Sequence, residues 1–302
     1  MSARASSGAG LLVLAATQCI PSLGPGDSLV TSTRILAIRA DPAEAAPGST
    51  VTFTALVAGP GGAVTGAPIA WDYCTAPKPI TEDNVVSNAC LGTSDLVPAG
   101  AGPASTSTTP SDGCTIFGPD VGSMGLRPRD PDATGGFYQP LRAELSGADT
   151  AFALARIHCD LPDAAASAAT AFAADYHLNL NPQLLPLTAT VDGKPAALTA
   201  IPAGARVELE ASWPSSSAET YALFDASTQT ISMQRESMQV AWYSTGGALD
   251  TESTGRASND PATTTDDGWQ APGSAGTTAL FVVLRDSRGG VDFATFELTT
   301  TP

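Results

Sequence analysis

Apolar and polar residues alternate along several short segments of this chain, a pattern typical of β-strands that bury one face. The clearest segments in the first half are 33–40, 50–58, 68–74, 138–145 and 150–157. In the second half they are 187–191, 205–213, 221–224, 238–243, 279–285 and 291–299. Between the two groups, an Ala-rich stretch at 164–174 with Asp163 as its N-cap predicts one short helix.

The order of these elements predicts an all-β protein with two immunoglobulin-like β-sandwich domains in tandem, joined by the short helix. Trp71 and Trp242 lie on central strands, as tryptophan does in such sandwiches. Residues 75–137 exceed an ordinary connection and predict a long loop insertion in the first domain. The predicted organisation is a leader (1–19), a flexible tether (20–32), a first Ig-like domain (33–162), a helical linker (163–182) and a second Ig-like domain (183–302).

The leader has the layout of a bacterial lipoprotein signal, in which a cysteine becomes the lipidated first residue of the mature protein. A short apolar run at 11–16 precedes Cys19, and a Pro/Gly-rich segment follows it. Gln18 is larger than the residue usual at that position, so ordinary secretion is the alternative. We therefore expect an outer-membrane or cell-surface lipoprotein, or otherwise a periplasmic or secreted protein. No other apolar run approaches the roughly 20 residues of a membrane span, so a lipid would be the only membrane attachment.

The remaining four cysteines form an even set, which in an oxidising compartment predicts two disulfides with three connectivities. Proximity along the chain favours Cys74–Cys90, and Cys114–Cys159 then follows by elimination. Zinc binding is the competing interpretation, but the CxxC-type spacings of zinc motifs are absent.

The charge balance argues against nucleic-acid partners. The chain has 30 acidic and 14 basic residues and a net charge of -16, and such a surface repels phosphate backbones.

The sequence offers few candidates for chemistry. His158 beside Cys159 could form a nucleophilic pair only if that thiol were free. Acidic loops could hold Ca²⁺, because hard cations take Asp and Asn oxygens, or could supply the two carboxylates of a glycosidase. Their candidate ligands are Asp130, Asp132, Asn259, Asp260, Asp266 and Asp267. Neither cluster matches an EF-hand loop, so we expect no cofactor, with calcium as the one alternative.

Two stretches carry a resemblance to known proteins. The first is 34–44 followed by Pro47-Gly48, and the second comprises 240–247, 269–272 and 283–290. Together with the leader they resemble uncharacterised predicted lipoproteins of myxobacteria, and the second stretch is also similar to bacterial Ig-like and PKD-like surface modules. The resemblance implies a fold and no particular activity.

The sequence therefore predicts a structural, adhesive or assembly protein of the cell envelope, whose partners are envelope or surface proteins bound through strand edges and the long loop. The first alternative is a carbohydrate- or calcium-binding module, in which Trp213 and Trp269 would be either sugar platforms or core residues. The second alternative is an envelope hydrolase built on unrecognised loops.

Overall fold

The computed structural model of the chain describes residues 27–77, 86–117, 133–161 and 163–302. The predicted lipidation site Cys19 and the calcium candidates Asp130 and Asp132 lie outside these ranges. Within them, no helix combines the length and apolar character needed to cross a membrane.

Alternating side chains build the first sandwich around one core, in which Val51, Phe53 and Val57 pack beside Trp71. Its strands are β1 (Arg34–Asp41), β2 (Glu44–Ala45), β3 (Thr50–Gly59), β4 (Gly62–Ala63), β5 (Ile69–Cys74), β6 (Leu96–Ala101), β7 (Ala104–Thr108), β8 (Gly136–Leu145) and β9 (Asp149–His158). One sheet has the order β1-β3-β4 with β7 also paired to β3, and the other has the order β2-β9-β8-β5-β6.

The second sandwich has the same construction, with Val207, Leu209 and Ala211 facing a core that contains Trp242 and Trp269. Its strands are β10 (Thr188–Val191), β11 (Lys194–Pro195), β12 (Ile201–Pro202), β13 (Arg206–Ser212), β14 (Thr220–Asp225), β15 (Thr230–Arg235), β16 (Met238–Ser244), β17 (Ala248–Leu249), β18 (Ser253–Arg256), β19 (Thr264–Gln270), β20 (Gly276–Asp286) and β21 (Val291–Thr301). The two sheets have the orders β11-β10-β13-β19-β17 and β12-β21-β20-β16-β18, and β14 pairs separately with β15. The prediction of an all-β protein with two Ig-like sandwiches is confirmed.

The prediction of a loop throughout 75–137 is wrong, because β6 and β7 both lie in this interval and extend one sheet each. β6 carries Pro98 and Gly100, which are unusual in strands but tolerated at a sheet edge or bulge. Gly100 adopts φ +120°, and a Cβ there would lie 1.9 Å from the Ser105 hydroxyl oxygen. The pairing of β5 with β6 shifts register at this point.

The helices are α1 (Gly113–Ile116) and α2 (Ala166–Asp175), with 3-10 turns at Asn88–Leu91 and Ser215–Ser217. Asp163 does not cap α2, because the N-cap position belongs to Ala165. The Ala165 N–H instead donates to Gln229 Oε1 at 2.7 Å. Phe172 packs α2 onto Ala222 and Phe224 of β14, so the predicted linker helix is docked on the second domain.

Both disulfides follow the pairing that the sequence favours. Cys74 bonds to Cys90 and Cys114 bonds to Cys159, with Cα–Cα distances of 5.6 and 5.7 Å. Cys159 is therefore not available as a nucleophile.

The two sandwiches pack against each other through an apolar interface. Phe281 and Val283 of β20 contact Leu36 and Leu56 of the first domain, whereas Leu280, Val282 and Leu284 face the second domain's own core. β20 is thus buried on both faces, which explains its continuous apolar run. Ile35 faces the first core and Leu36 faces the interface, as the alternation of a strand requires. A register shift in β1 between Ile35 and Ala37 lets Ala37 join Leu36 in the interface.

Residues 28–30 are docked on the second domain rather than forming part of a flexible tether. The Val30 N–H donates to the Ser244 carbonyl at 2.8 Å, and the Ser244 N–H donates to the Ser28 carbonyl at 2.9 Å. Val30 is 2% exposed and belongs to the apolar interface, so burial of its side chain accounts for the order of this segment.

Candidate functional site at the domain junction

The linker after α2 bridges the two domains through asparagine side chains. Asn179 is 1% exposed. Its N–H donates to Glu44 Oε2 of the first domain at 2.8 Å, and its Nδ2 donates to Asp286 Oδ1 of the second at 3.3 Å. Asn181 likewise donates to the Ala40 carbonyl at 2.7 Å and accepts the Val291 N–H at 2.9 Å.

A buried ion pair holds the first-domain side of this junction. Glu44 Oε2 lies 3.0 Å from Arg156 Nε, and both side chains are fully buried. The Tyr176 hydroxyl donates to Glu44 Oε1, and burial, followed by the Glu44 carboxylate, raises the pKa of Tyr176. Gly136 makes room for the guanidinium, because a Cβ there would lie 2.1 Å from Arg156 Cζ.

Arg288 is the centre of the second-domain side. Its Nε donates to Glu236 Oε1 at 2.6 Å, and its Nη2 donates to Glu219 Oε2 at 3.0 Å. Its Nη1 donates to the carbonyl of His177 in the linker at 3.0 Å. The neighbouring Asp286 carboxylate accepts the Arg288 backbone N–H at 2.8 Å. The Arg288 guanidinium therefore donates hydrogen bonds to two carboxylates and one linker carbonyl, and a third carboxylate, that of Asp286, lies beside it.

The crowding of carboxylates changes their titration. Burial and then the negative charge of Asp286 raise the pKa of Glu236 to about 7, against the opposing effect of Arg288. Burial also raises the pKa of Asp286. Glu236 therefore takes up a proton near neutral pH, where exposed carboxylates would stay ionised.

This titration predicts that the protein is more stable in mild acid. The pKa of Glu236 is about 7 in the folded chain against an ordinary value of 4.5, so its favourable contribution is greatest below about pH 4.5 and is lost as the pH rises through about 7. We expect the free energy of unfolding to fall by about 1–3 kcal/mol between pH 5.5 and 8. Urea titrations at the two pH values would measure this difference.

Matched variants test the assignment to Glu236. Glu236→Gln removes the titrating group and should flatten most of the pH dependence, with Asp286 leaving a remainder of the same sign. Glu297→Gln removes an exposed carboxylate and should leave the slope unchanged. If the free energy of unfolding depended on pH equally in the wild type and in Glu236→Gln, a group other than Glu236 would be responsible.

The described calcium candidates do not converge. Asp266 and Asp267 are consecutive residues of β19, so their side chains leave opposite faces of the sheet. Asp266 is exposed, whereas Asp267 is buried and accepts the Thr251 N–H at 3.2 Å. Asp260, next to the exposed Asn259, accepts the Ala262 N–H at 2.9 Å. Within the described ranges no group of three His, Cys, Asp or Glu side chains is placed to hold a metal ion. Calcium binding by Asp130 and Asp132 stays a prediction.

The remaining sequence candidates also have structural partners. All four tryptophans are at most 1% exposed. Trp213 and Trp269 are therefore core residues and present no ring face to a sugar. The His158 ring packs on Tyr176 with centroids 4.4 Å apart, at the rim of a cavity of about 160 Å³. Its Nδ1 lies 4.0 Å from Glu44 Oε1.

Comparison with known proteins adds no family. No family model matches the chain, and no curated protein matches it. Among solved structures it is similar to the Yersinia pseudotuberculosis adhesin InvE, at 13% identity and a TM-score of 0.25, covering 92% of this chain and 62% of that one. A Bacteroides cellulosilyticus glycosyl hydrolase family 2 member gives 9% identity and a TM-score of 0.22, covering 85% of this chain and 23% of that one. A mutant of Salmonella alpha-2-macroglobulin gives 8% identity and a TM-score of 0.25, covering 94% of this chain and 16% of that one.

The chain thus spans less than two thirds of each of these proteins.

Sequence reasoning missed the junction because none of its charged residues belongs to a recognisable motif. Glu44 lies in the segment 41–48 and Arg288 in the segment 286–290, both rich in Pro or Gly, where a charged side chain is ordinarily solvated. A local signal for the buried ion pair is charge in an apolar setting, since Arg156 stands between Ala155 and Ile157 on a strand. Chemically, the arrangement fixes the two domains and the linker relative to each other.

Proposed function

We propose that this chain is an exported cell-envelope protein that acts structurally or adhesively through protein–protein contacts, with a lipid on Cys19 as its anchor. The observation that carries the proposal is the fusion of the two sandwiches into one unit by the apolar interface and the buried ion pairs. A rigid pair of β-sandwiches suits a protein that holds a binding surface at a fixed place. On this proposal the chain is not an enzyme.

The compartment is supported by the disulfides. Disulfides such as Cys74–Cys90 and Cys114–Cys159 persist in oxidising environments and are rare in the cytosol. The excess of acidic residues keeps such a protein soluble and disfavours contact with anionic lipid headgroups, so a covalent lipid is the attachment that fits best.

The edge of the first sandwich at β6 is the contact surface that we propose. Among the described residues β6 pairs only with β5, and it presents Val97 at 47% exposure beside the Cys74–Cys90 disulfide, near Leu91 at 61%. β1, the edge strand of the opposite sheet, is blocked by side chains. Asp149 accepts the Ile35 N–H at 3.0 Å, and Asn181 donates to the Ala40 carbonyl at 2.7 Å. Such blocking discourages edge pairing.

Mass spectrometry of the mature protein tests the anchor. We expect a chain that begins with Cys19 and carries the added mass of acyl groups, and we expect Cys19→Ser to release the protein from membranes. A mature protein that begins elsewhere, with no added mass, would refute the anchor while leaving the contact surface open.

Photo-crosslinking in intact cells tests the contact surface. A photoreactive residue at Val97 should give a discrete adduct with an envelope protein, whereas the same residue at Glu297, an exposed site on the second domain, should give none. Equal labelling from both positions, or none from Val97, would contradict the proposed edge.

A further inference from the structure

A crevice of about 380 Å³ lies where the open side of the first sandwich meets the terminal hairpin of the second. Its walls include Ile35, Ile38, Phe152, Leu154, Val291 and Arg285. The volume falls at the lower end of the range of small-molecule sites, which favour domain junctions and mostly apolar walls with few polar groups.

The crevice exists because two strands of the first domain leave an edge unpaired there. β1 belongs to one sheet and β9 to the other, and they face each other across the opening of the sandwich. β2 closes the outer edge of β9 only at Arg156 and Ile157, so residues 151–154 stay open. The hairpin between β20 and β21 covers the opening from the second domain without filling it.

Among the residues that the structure describes, Arg285 is the one charged side chain that lines this crevice. It lies on β20 two residues after Val283, on the face that meets the first domain. Its Nη2 donates to the Leu36 carbonyl at 3.3 Å, and it also bonds to the Tyr243 hydroxyl. Burial lowers the pKa of Arg285, the effect of removing a cation from water without an anion beside it.

Most arginines of the described ranges have a carboxylate partner, and Arg285 does not. Those with a carboxylate within 4.0 Å are Arg39, Arg142, Arg156, Arg206, Arg256 and Arg288. The chain has 30 acidic residues and only 14 basic ones, so carboxylate partners are plentiful. A half-buried guanidinium without one loses hydration that no counter-ion replaces, whereas buried charges are ordinarily paired.

We propose that the crevice binds an aliphatic carboxylate, a fatty-acid-like molecule of medium chain length. Its carboxylate would pair with the Arg285 guanidinium, for which bidentate carboxylate pairing is the favoured geometry. Its tail would lie along Ile35, Ile38 and Leu154, away from water. The volume suits one single-chain molecule and excludes a two-chain phospholipid. The site is independent of the proposed partner surface at β6 and of the anchor.

Titration of the purified protein with sodium decanoate, below its micelle concentration, tests the proposal. We expect saturable one-to-one binding by calorimetry and shifts of the methyl NMR signals of Ile35, Ile38 and Leu154. Arg285→Gln should weaken decanoate binding at least tenfold, and Arg285→Lys, which keeps the charge, only a few-fold. Decanol should bind weakly and equally to wild type and Arg285→Gln.

If Arg285→Gln fails to fold, two amphiphiles with opposite head-group charges can be compared on the wild-type protein instead. Decyltrimethylammonium has the same tail with a positive head group and should bind at least tenfold more weakly than decanoate. The proposal is overturned if decanoate shows no saturable binding, if the cationic amphiphile binds as tightly, or if the shifted methyl signals lie elsewhere.

Discussion

Replacing Arg156 with methionine lowers the free energy of unfolding by about 3–5 kcal/mol, the range for removing one member of a buried ion pair. The loss follows because the carboxyl group of Glu44, whose side chain is fully buried, would lose the guanidinium that compensates it. The Asn179 N–H and the Tyr176 hydroxyl would still donate to Glu44, but these neutral donors do not neutralise it. Urea-induced unfolding at pH 7 measures the change.

The double variant Glu44→Gln with Arg156→Met separates a stranded charge from lost packing. Because glutamine is neutral, we expect the double variant to recover at least half of the stability that Arg156→Met alone loses. A single variant that costs less than 1 kcal/mol would mean that water reaches Glu44. A double variant no more stable than the single one would assign the loss to packing.

Replacing Phe281 with alanine is expected to cost about 3–5 kcal/mol, the range for deleting a fully buried aromatic side chain. Phe281 is 0% exposed although it lies outside both sandwich cores, because the first domain covers it. The expectation therefore tests the interface itself, and a single cooperative transition should be recorded by probes in both domains. Met233→Ala, at a residue 51% exposed, should change stability by less than about 0.5 kcal/mol.

An independent pair of domains would give a different result for Phe281→Ala. The side chain would then be exposed to water in the folded protein, its removal would cost less than 1 kcal/mol, and the two domains would unfold separately. That outcome would also remove the basis for a rigid unit in the proposed function.

Local pattern was sufficient to predict the strands that bury one face. Val51, Phe53 and Val57 share one face of β3, with threonines and Leu56 on the other, and the period of two places them in the core. The same reasoning failed at β6, whose Pro98 and Gly100 are turn residues in most settings. Its strand character comes from pairing with β5, a tertiary contact that the segment itself does not encode.

The junction lay beyond prediction for a different reason. Tyr176 and Glu44 are 132 residues apart in sequence, and a lone glutamate in an Ala-rich turn is ordinarily a solvated side chain. Its burial follows from the docking of two domains, and docking depends on the shape of both surfaces. The apolar run of β20 is a local signal for the docking, since a strand without polar alternation requires cover on both faces. This run predicts that both faces of β20 are covered, but it does not say which surface of the first domain covers the outer face.

The docking of Ser28–Val30 on Ser244 determines how mechanical tension travels through the molecule. A pull on the chain ahead of Asp27 first strains the backbone bonds to β16, within the second sandwich. Along the chain, the first sandwich lies between this attachment and the linker asparagines. Both the attachment and the asparagines are hydrogen-bonded to the second domain. Tension from an anchor would therefore pass into the second sandwich and bypass the first, whose β6 edge would keep its shape while the tether is stretched.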